Sequence, residues 1–478
     1  MSSPCSLVER RERYKRALSE SLPEYRSYSR KDRDRIRYTR EFRRLKNVTQ
    51  VARAEEAALY HDRLTHSMKV AQVGDALARV LMIKEDVDPA GCGQPRSDVS
   101  NPLCLSLDPF TVQAAAHAHD IGHPPFGHAA ESLLDDLLID KTEDCGRTIG
   151  FEGNAQSFRI ITRLSNHKSE RGLELTRATL NGTLKYPWSR DKNDSKWGYY
   201  PDDEEAFEFA RSPLPDIRDG KKTLEAQVMD FADDLTYALH DMADFYRAGL
   251  IPLNRLFLEA TTDKNYQTAT SEELNQFEEY LEETDSFDYS LDELEVSIEE
   301  FFRGLTDSKD FDTRLYTRFT GTDKDRIALN KFVSMLVGRY LEEKNIEGEQ
   351  YVSLEPIDDR IYDLDILTSV SQEISILKHL TRYYVITNPG LMQQQQGECR
   401  VIEELFQDFY EQSDPAIQPK SIIPSPFRER LANYDDRDVP RARFVADLIA
   451  SLTERQAVML HQRLRGDTPQ SLVNNILD

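Results

Sequence analysis

Six of the ten histidines, His61, His66, His117, His119, His123 and His128, fall between residues 61 and 128. Such a density marks a place where imidazole serves as a ligand or a proton carrier. The run His117-Ala-His-Asp-Ile-Gly-His-Pro-Pro-Phe-Gly-His128 sets His119 beside Asp120 at the end of an apolar-periodic helix, just before Gly122 and Pro124-Pro125 must break it. Neighbouring side chains on a helix splay by about 100°, yet from its last turn an imidazole and a carboxylate can converge on one ion. Mixed nitrogen and oxygen donors suit a first-row divalent metal such as Mn, Fe, Zn, Ni or Co. His66, in Arg63-Leu-Thr-His-Ser67, opens another apolar-periodic helix and is a candidate third ligand. Downstream, Asp233, Tyr237 and Asp241 stand four apart on one helical face, an acidic and aromatic stripe that is costly to bury unless it binds something. His117, two steps from His119, points away from it and reads as structural. His61 has no assigned role.

The elements that must position these residues are mostly helices. Ala71 to Val80, Phe110 to Asp120, Leu224 to Leu250, Lys331 to Asn345 and Arg441 to Leu464 repeat apolar residues at three- and four-residue spacing. Only Val385-Ile386-Thr387 and Tyr351-Val352-Ser353-Leu354 read as strands, so the fold class is mainly α with minor short β elements. Segments 85 to 108 and 187 to 222 carry Pro, Gly, Asp and Ser clusters and read as loops. The working division is a basic N-terminal segment 1–29, a catalytic body 30–260, an acidic helical insertion 261–325 and a C-terminal helical region 326–478.

The 478 residues suffice for a large buried core, and the net charge of −24 is unevenly spread. Residues 1–46 hold fifteen Lys/Arg against seven Asp/Glu, whereas Ser271 to Phe302 carries thirteen acids and no base and reads as a solvated face. The basic stretch is either a solvent- or subunit-facing segment or a contact for polyphosphate or nucleic acid. Five widely spaced cysteines with no Cys-x-x-Cys pair predict reduced thiols. No apolar run approaches the roughly 20 residues of a membrane span, and the N-terminus lacks a secretory apolar core, so a cytoplasmic location is expected.

The ordered set His66, His119-Asp120 and Asp233 resembles the signature of the HD-domain metal phosphohydrolases. Tyr28 to Gln50, Arg63 to Ser67, His119 to His128, Phe151-Glu-Gly-Asn-Ala-Gln156 and Ala232-Asp-Asp-Leu-Thr-Tyr237 resemble successive blocks of the deoxyguanosine triphosphate triphosphohydrolase family, and Ala442 to Gln456 resembles its C-terminal helix. The resemblance implies an HD-domain helical fold. It implies one divalent metal ion per subunit, Mn²⁺ or Mg²⁺ with Fe, Co, Ni or Zn also served, held by His66, His119, Asp120 and Asp233. The implied reaction is attack of water on the α-phosphorus of a deoxynucleoside triphosphate, dGTP first, releasing deoxynucleoside and inorganic triphosphate. In that reading His128 and Glu131 form the acid/base dyad, His123 faces phosphate, and Arg63 binds the polyphosphate. Gln50 reads the sugar 3′-hydroxyl, and Tyr237 and Asp241 line the sugar and triphosphate side. A homo-oligomer is implied as well.

The stretch between Gln50 and Arg63 is more acidic and less aromatic than the family pattern, which leaves the base preference open. Two other readings stand beside the first. One is another HD-type nucleotide phosphohydrolase on the same scaffold. The other is a nucleic-acid- or nucleotide-binding protein that uses the Arg-rich residues 10–46, single-stranded nucleic acid or nucleotide acting there as ligand or regulator of the HD site.

Overall fold

A computed structural model describes residues 7–14, 26–50, 61–89, 102–143, 149–167, 172–212, 220–263, 265–266, 272–285, 287–342, 348–357, 361–414, 416–417, 422–431 and 438–467. The chain is mainly helical. Besides the short helices Leu7–Arg10 and Ser425–Leu431, its α-helices are α1 Tyr28–Arg37, α2 Arg40–Arg44, α3 Arg63–Lys84, α4 Pro109–Ala118, α5 Gly127–Thr142, α6 Gly153–Arg159, α7 Arg177–Gly182, α8 Glu204–Arg211 and α9 Leu224–Arg247. They continue with α10 Leu253–Ala260, α11 Glu272–Glu283, α12 Ile298–Thr306, α13 Asp323–Glu342, α14 Thr368–Thr381, α15 Pro389–Gln412, α16 Asp438–Ala450 and α17 Glu454–Arg465. Strands β1 Val352–Pro356 and β2 Tyr362–Ile366 form one antiparallel hairpin in which Val352 faces Ile366 and Leu354 faces Leu364. Among the described residues no helix is long and apolar enough to cross a membrane.

Local chemistry sets the helix ends near the histidines. Asp62 accepts from the Thr65 N–H at 2.8 Å and starts α3, and Asp108 with Pro109 at the first helical position starts α4. Helix α4 stops at Ala118, so His119 is its C-cap and Asp120 lies in the following turn. Phe126 and Gly127 both adopt left-handed backbone, which lets α5 begin directly after the histidine-rich loop. For Phe126 that conformation costs about 1–2 kcal/mol, offset by burial of its ring.

Three sequence expectations are corrected. Val385-Ile386-Thr387 is not a strand: residues Arg382–Ile386 form a π-helical turn that extends α14, with Val385 buried in the core and Asn388-Pro389 capping α15. The predicted helix Arg441 to Leu464 is two helices, because Thr453 and Gln456 form a capping box that restarts the chain as α17. Cys104 is disulfide-bonded, against the expectation of reduced thiols. Spacing along the chain carries no information on which thiols the fold brings within bonding distance.

Three apolar cores meet at the histidine-rich loop. The first joins α3, α4 and α9 to α10 through α14. It includes Leu274, Phe277, Leu281, Ile298, Phe301 and Phe302 of the acidic segment, whose apolar stripe packs inward while most of its acids face solvent. The second packs α5 against α15, α16 and α17, and the third packs the N-terminal helices against α4 and the segments from α6 to α8. Ala115 and Ala116 belong to the first core, Ala118 and Ile121 to the third, and Phe126 to the second.

Many of the N-terminal arginines are spent inside the molecule. Arg13 pairs with buried Asp32 at 2.6 Å, Arg10 pairs with Glu225, and Arg26 and Arg33 share Asp34. Arg44, buried, donates to the carbonyls of Ile121 at 2.9 Å, His123 at 2.7 Å and Leu452 at 2.9 Å.

Candidate metal centre and acid/base dyad

Helix α3 supplies His66, the end of α4 supplies His119 and Asp120, and α9 supplies Asp233. His66 Nε2 lies 2.9 Å from Asp233 Oδ1, and His119 Nε2 lies 3.5 Å from both Asp233 Oδ1 and Asp120 Oδ2. The other ring nitrogen of His119, Nδ1, donates to the Ala116 carbonyl at 2.7 Å, which fixes the tautomer with a lone pair on Nε2. His119 Nε2 and Asp120 Oδ2 are buried and have no hydrogen-bond partner. Orphaned acceptors that face each other are costly in a folded interior, and a divalent cation between them would satisfy both. Donor atoms of His66, His119 and Asp233 lie within 4.8 Å of one another, so the residues fit a single ion. Asp120 stands beside this group and outside it, its Oδ2 3.5 Å from His119 Nε2 while its Oδ1 accepts from Arg63 Nη1 at 2.9 Å.

The electrostatics match. Burial alone would raise the carboxyls of Asp120 and Asp233, but Arg63 with His119 in the first case, and Lys185 with His119 in the second, hold both well below the usual range. Burial would lower His119, yet Asp120 and Asp233 outweigh it and raise the imidazole to about 9. The site is thus an anionic cage that draws a proton when no stronger cation is bound.

Lys185 and Lys196 escaped the sequence reading. Lys185 Nζ bridges Asp233 Oδ2 and Asp230 Oδ1, each at 2.8 Å, and Lys196 Nζ lies 3.3 Å from both Glu131 Oε1 and Glu152 Oε1. Lys196 comes from the segment 187 to 222 whose Pro, Gly and Asp content reads only as loop, Lys185 lies just before it, and no spacing ties either to α9 or α5.

His128 Nδ1 lies 2.9 Å from Glu131 Oε2, one helical turn on. Glu131 Oε1 accepts from the Gly153 N–H at 3.0 Å. Burial would raise this carboxyl, but hydrogen bonding to His128 and the charges around it hold it well below the usual range. His123 sits between the two groups, with Nδ1 3.1 Å from Asp120 Oδ1 and Nε2 3.7 Å from Glu131 Oε2. Burial, followed by the Arg63 charge, brings its pKa down to about 4, so it stands neutral at pH 7.

Arg63 donates to the Thr49 carbonyl at 3.1 Å as well as to Asp120, which draws the chain beside Gln50 toward the cage. Gln50 is buried and its Oε1 has no partner. Tyr237 and Asp241 follow Asp233 down α9 at one-turn intervals. Asp241 is buried with Oδ2 unpartnered, and Tyr237 lines a cavity of about 580 Å³ together with Lys222, Asp234, Lys378 and Arg382. Segment 51–60, where the sequence suggests sugar and base contacts, lies outside the described residues. His117 is buried against the Phe42 ring, and burial brings its pKa down to about 3, consistent with a structural role.

Residues 63–238 match the HD domain family, and residues 365–463 match the phosphohydrolase-associated domain family. A deoxyguanosinetriphosphate triphosphohydrolase-like protein of Corynebacterium efficiens is 32% identical over 464 residues, covering 94% of each chain. The chain belongs to the deoxyguanosinetriphosphate triphosphohydrolase-like family. A relative of the same description from Streptomyces coelicolor is 31% identical over 91% of this chain and 92% of its own, and one from Shewanella pealeana is 28% identical over 94% and 95%. As a member of this family the protein is an HD-domain phosphohydrolase, and its HD match spans His66, the His119-Asp120 pair and Asp233.

Proposed function

We propose that the protein hydrolyses deoxynucleoside triphosphates at the α-phosphorus, dGTP being the first substrate to test, and releases a deoxynucleoside and inorganic triphosphate. The observation that carries this reading is the adjacency of the orphaned His119 Nε2 and Asp120 Oδ2 to the His128–Glu131 pair. His66, His119, Asp120 and Asp233 would hold one divalent ion, Mn²⁺ or Mg²⁺, which when bound polarises the α-phosphate and lowers the pKa of water. Water oxygen bonds to the α-phosphorus as the bond to the 5′-oxygen breaks. His128, held by Glu131, delivers a proton to that departing oxygen. Arg63, with Lys185 and Lys196 nearby, meets the polyphosphate by charge-assisted hydrogen bonds, and neutral His123 faces it. Gln50 and Asp241 bind the sugar, and the Tyr237 ring against C2′ excludes a ribose hydroxyl.

The test is incubation with Mn²⁺ or Mg²⁺ and each deoxynucleoside triphosphate, followed by anion-exchange separation. Deoxynucleoside plus triphosphate, absent with the His119→Ala, Asp120→Ala protein, is the expected result. Mono- or diphosphate products would move the reading to another HD-type nucleotide phosphohydrolase.

One observation favours single-stranded nucleic acid as a regulator. Tyr38 is 83% exposed, and Arg37, Arg43 and Lys46, close to it in the chain, are exposed as well, a combination of aromatic ring and cations that suits a stacked, charged strand. A rise or fall in the same turnover on adding an oligonucleotide at low salt, reversed at high salt, tests it.

A further inference from the structure

Beside the ion cage, the turn from α4 to α5 brings a second set of donor atoms together. Glu131 Oε2 lies 2.9 Å from His128 Nδ1 and 3.7 Å from His123 Nε2, and one donor atom from each of the three residues stands within 4.8 Å of the other two. The two imidazole rings meet edge to face, with centroids 5.4 Å apart. His123 is wedged in place, since a Cβ on Gly153 would come within 3.0 Å of its ring. Its Nδ1 lies 3.1 Å from Asp120 Oδ1, so the ring proton belongs on that side and Nε2 turns a lone pair toward Glu131. Among the described residues Nε2 makes no hydrogen bond and faces the carboxylate acceptor against acceptor.

We infer that His123, His128 and Glu131 form a second divalent-cation site, which takes a transition metal such as Zn²⁺ or Co²⁺ in competition with the proton shared by His128 and Glu131. Two imidazoles and one carboxylate, with a further position open, are a zinc ligand set, and bonds of about 2.0–2.1 Å put tetrahedral ligand atoms roughly 3.3 Å apart. The spacings of 2.9 and 3.7 Å lie on either side of that value. His128 is 64% exposed, so an ion reaches it from solvent and its ring is free to turn the remaining distance. Lys196 leaves the place open, because its Nζ sits on Oε1, the other oxygen of Glu131, and lies equally 3.3 Å from Glu152. Mg²⁺, which takes oxygen ligands and keeps its waters, is poorly served by two imidazoles. With three protein ligands, one of them exposed, against four candidates in the cage, the second ion leaves on desalting and is counted by titration. An ion on Nδ1 displaces the proton there, and the imidazole then has no second proton to give. On the nucleotide reading given above, on which this consequence alone rests, Zn²⁺ in excess over the cage inhibits turnover.

The experiment titrates Co²⁺ into the full-length protein after chelation of all metal and follows the visible absorption of the bound ion. A second equivalent per subunit, weaker than the first, is expected. His66→Ala removes the tight equivalent and keeps the weak one. His128→Gln, at an exposed position that the fold does not depend on, and Glu131→Gln each weaken the second equivalent at least about tenfold and leave the first in place. A single equivalent in the wild type, or a second one bound equally well by His128→Gln and Glu131→Gln, overturns the inference. In a kinetic arm, Zn²⁺ added to the Mn²⁺-loaded wild type is expected to lower kcat about 10²-fold or more, with recovery when chelator matches the zinc. Full turnover at zinc concentrations that displace the second Co²⁺ places that ion elsewhere and sinks the proposal. Absence of nucleotide turnover in the metal-loaded wild type fails the functional reading and leaves the Co²⁺ titration to decide the site.

Discussion

Glu131 serves three neighbours at once, taking the Gly153 N–H and the Lys196 ammonium on one oxygen and His128 on the other. Its carboxylate holds the ring of His128, an imidazole that is 64% exposed and makes no other hydrogen bond among the described residues, and in the proposed reaction its charge is what readies His128 to carry a proton. Glu131→Gln keeps the shape and removes the charge. It is expected to lower kcat by about 10²- to 10⁴-fold while leaving bound metal per subunit unchanged, as measured by steady-state kinetics beside elemental analysis. The histidines, Asp120 and Asp233 were legible because a metal cage needs rare residue types at helical spacing, and the family resemblance ordered them. Lys185 and Lys196 were not, since a lysine in a loop is common and only the fold carries it to a carboxylate. The pairing of His61 with Asp244 and with Lys69 was hidden for a related reason, since His61 was legible only as one histidine of a cluster and the crossing of α3 and α9 alone brings its partners to it.

At the scale of elements, the turn from α4 to α5 is shaped by what it cannot accommodate. A Cβ on Gly122 would lie 2.2 Å from the Ser157 nitrogen and 2.3 Å from the Gly153 carbonyl oxygen, both backbone atoms that cannot step aside. Gly122→Ala is therefore expected to cost about 3 kcal/mol or more and to lower the unfolding midpoint with or without added metal, which chemical denaturation would measure. The helices themselves were readable from apolar periodicity, and Gly122 with the two prolines marked the end of α4. The break between α16 and α17 was not read, although Thr453-Glu-Arg-Gln456 carries a capping signature, because the apolar spacing runs on across it. That break places Glu454 where it accepts from the Thr49 N–H at 2.6 Å and the Phe126 N–H at 3.3 Å, bracing both sides of the site. Val385-Ile386-Thr387 misled for the opposite reason, since three β-branched residues suit a strand but here close the last turn of α14 against the core.

Across the whole molecule, the phosphohydrolase-associated region supplies the floor under the dyad. Its helices α15, α16 and α17 close the core beneath α5, which carries Glu131 on its inner side. Asp447 of α16 accepts from Gln156 Nε2 at 2.8 Å and from Arg159 Nε at 3.1 Å, and Arg159 also reaches buried Asp203. Asp447→Ala leaves Arg159 with one acid and Gln156 without its acceptor. The expected loss is about 3 kcal/mol of stability, seen in denaturant unfolding, with turnover falling although no substrate atom is touched. The helix of Asp447 was legible, in the apolar spacing from Arg441 and in the resemblance over Ala442 to Gln456, but nothing in the sequence related Gln156 or Arg159 to Asp447.

Arg44 makes this long-range construction a matter of timing. Its guanidinium joins the carbonyls of Ile121 and His123 to that of Leu452, a residue 408 positions later in the chain. During synthesis the candidate ligand histidines are all made early, and the N-terminal and first cores can begin to gather around them. The loop that holds them still lacks its brace until α16 and the corner after it have left the ribosome. A nascent chain thus carries the parts of a hydrolase for most of its elongation without the finished site, and competence arrives near the end of translation.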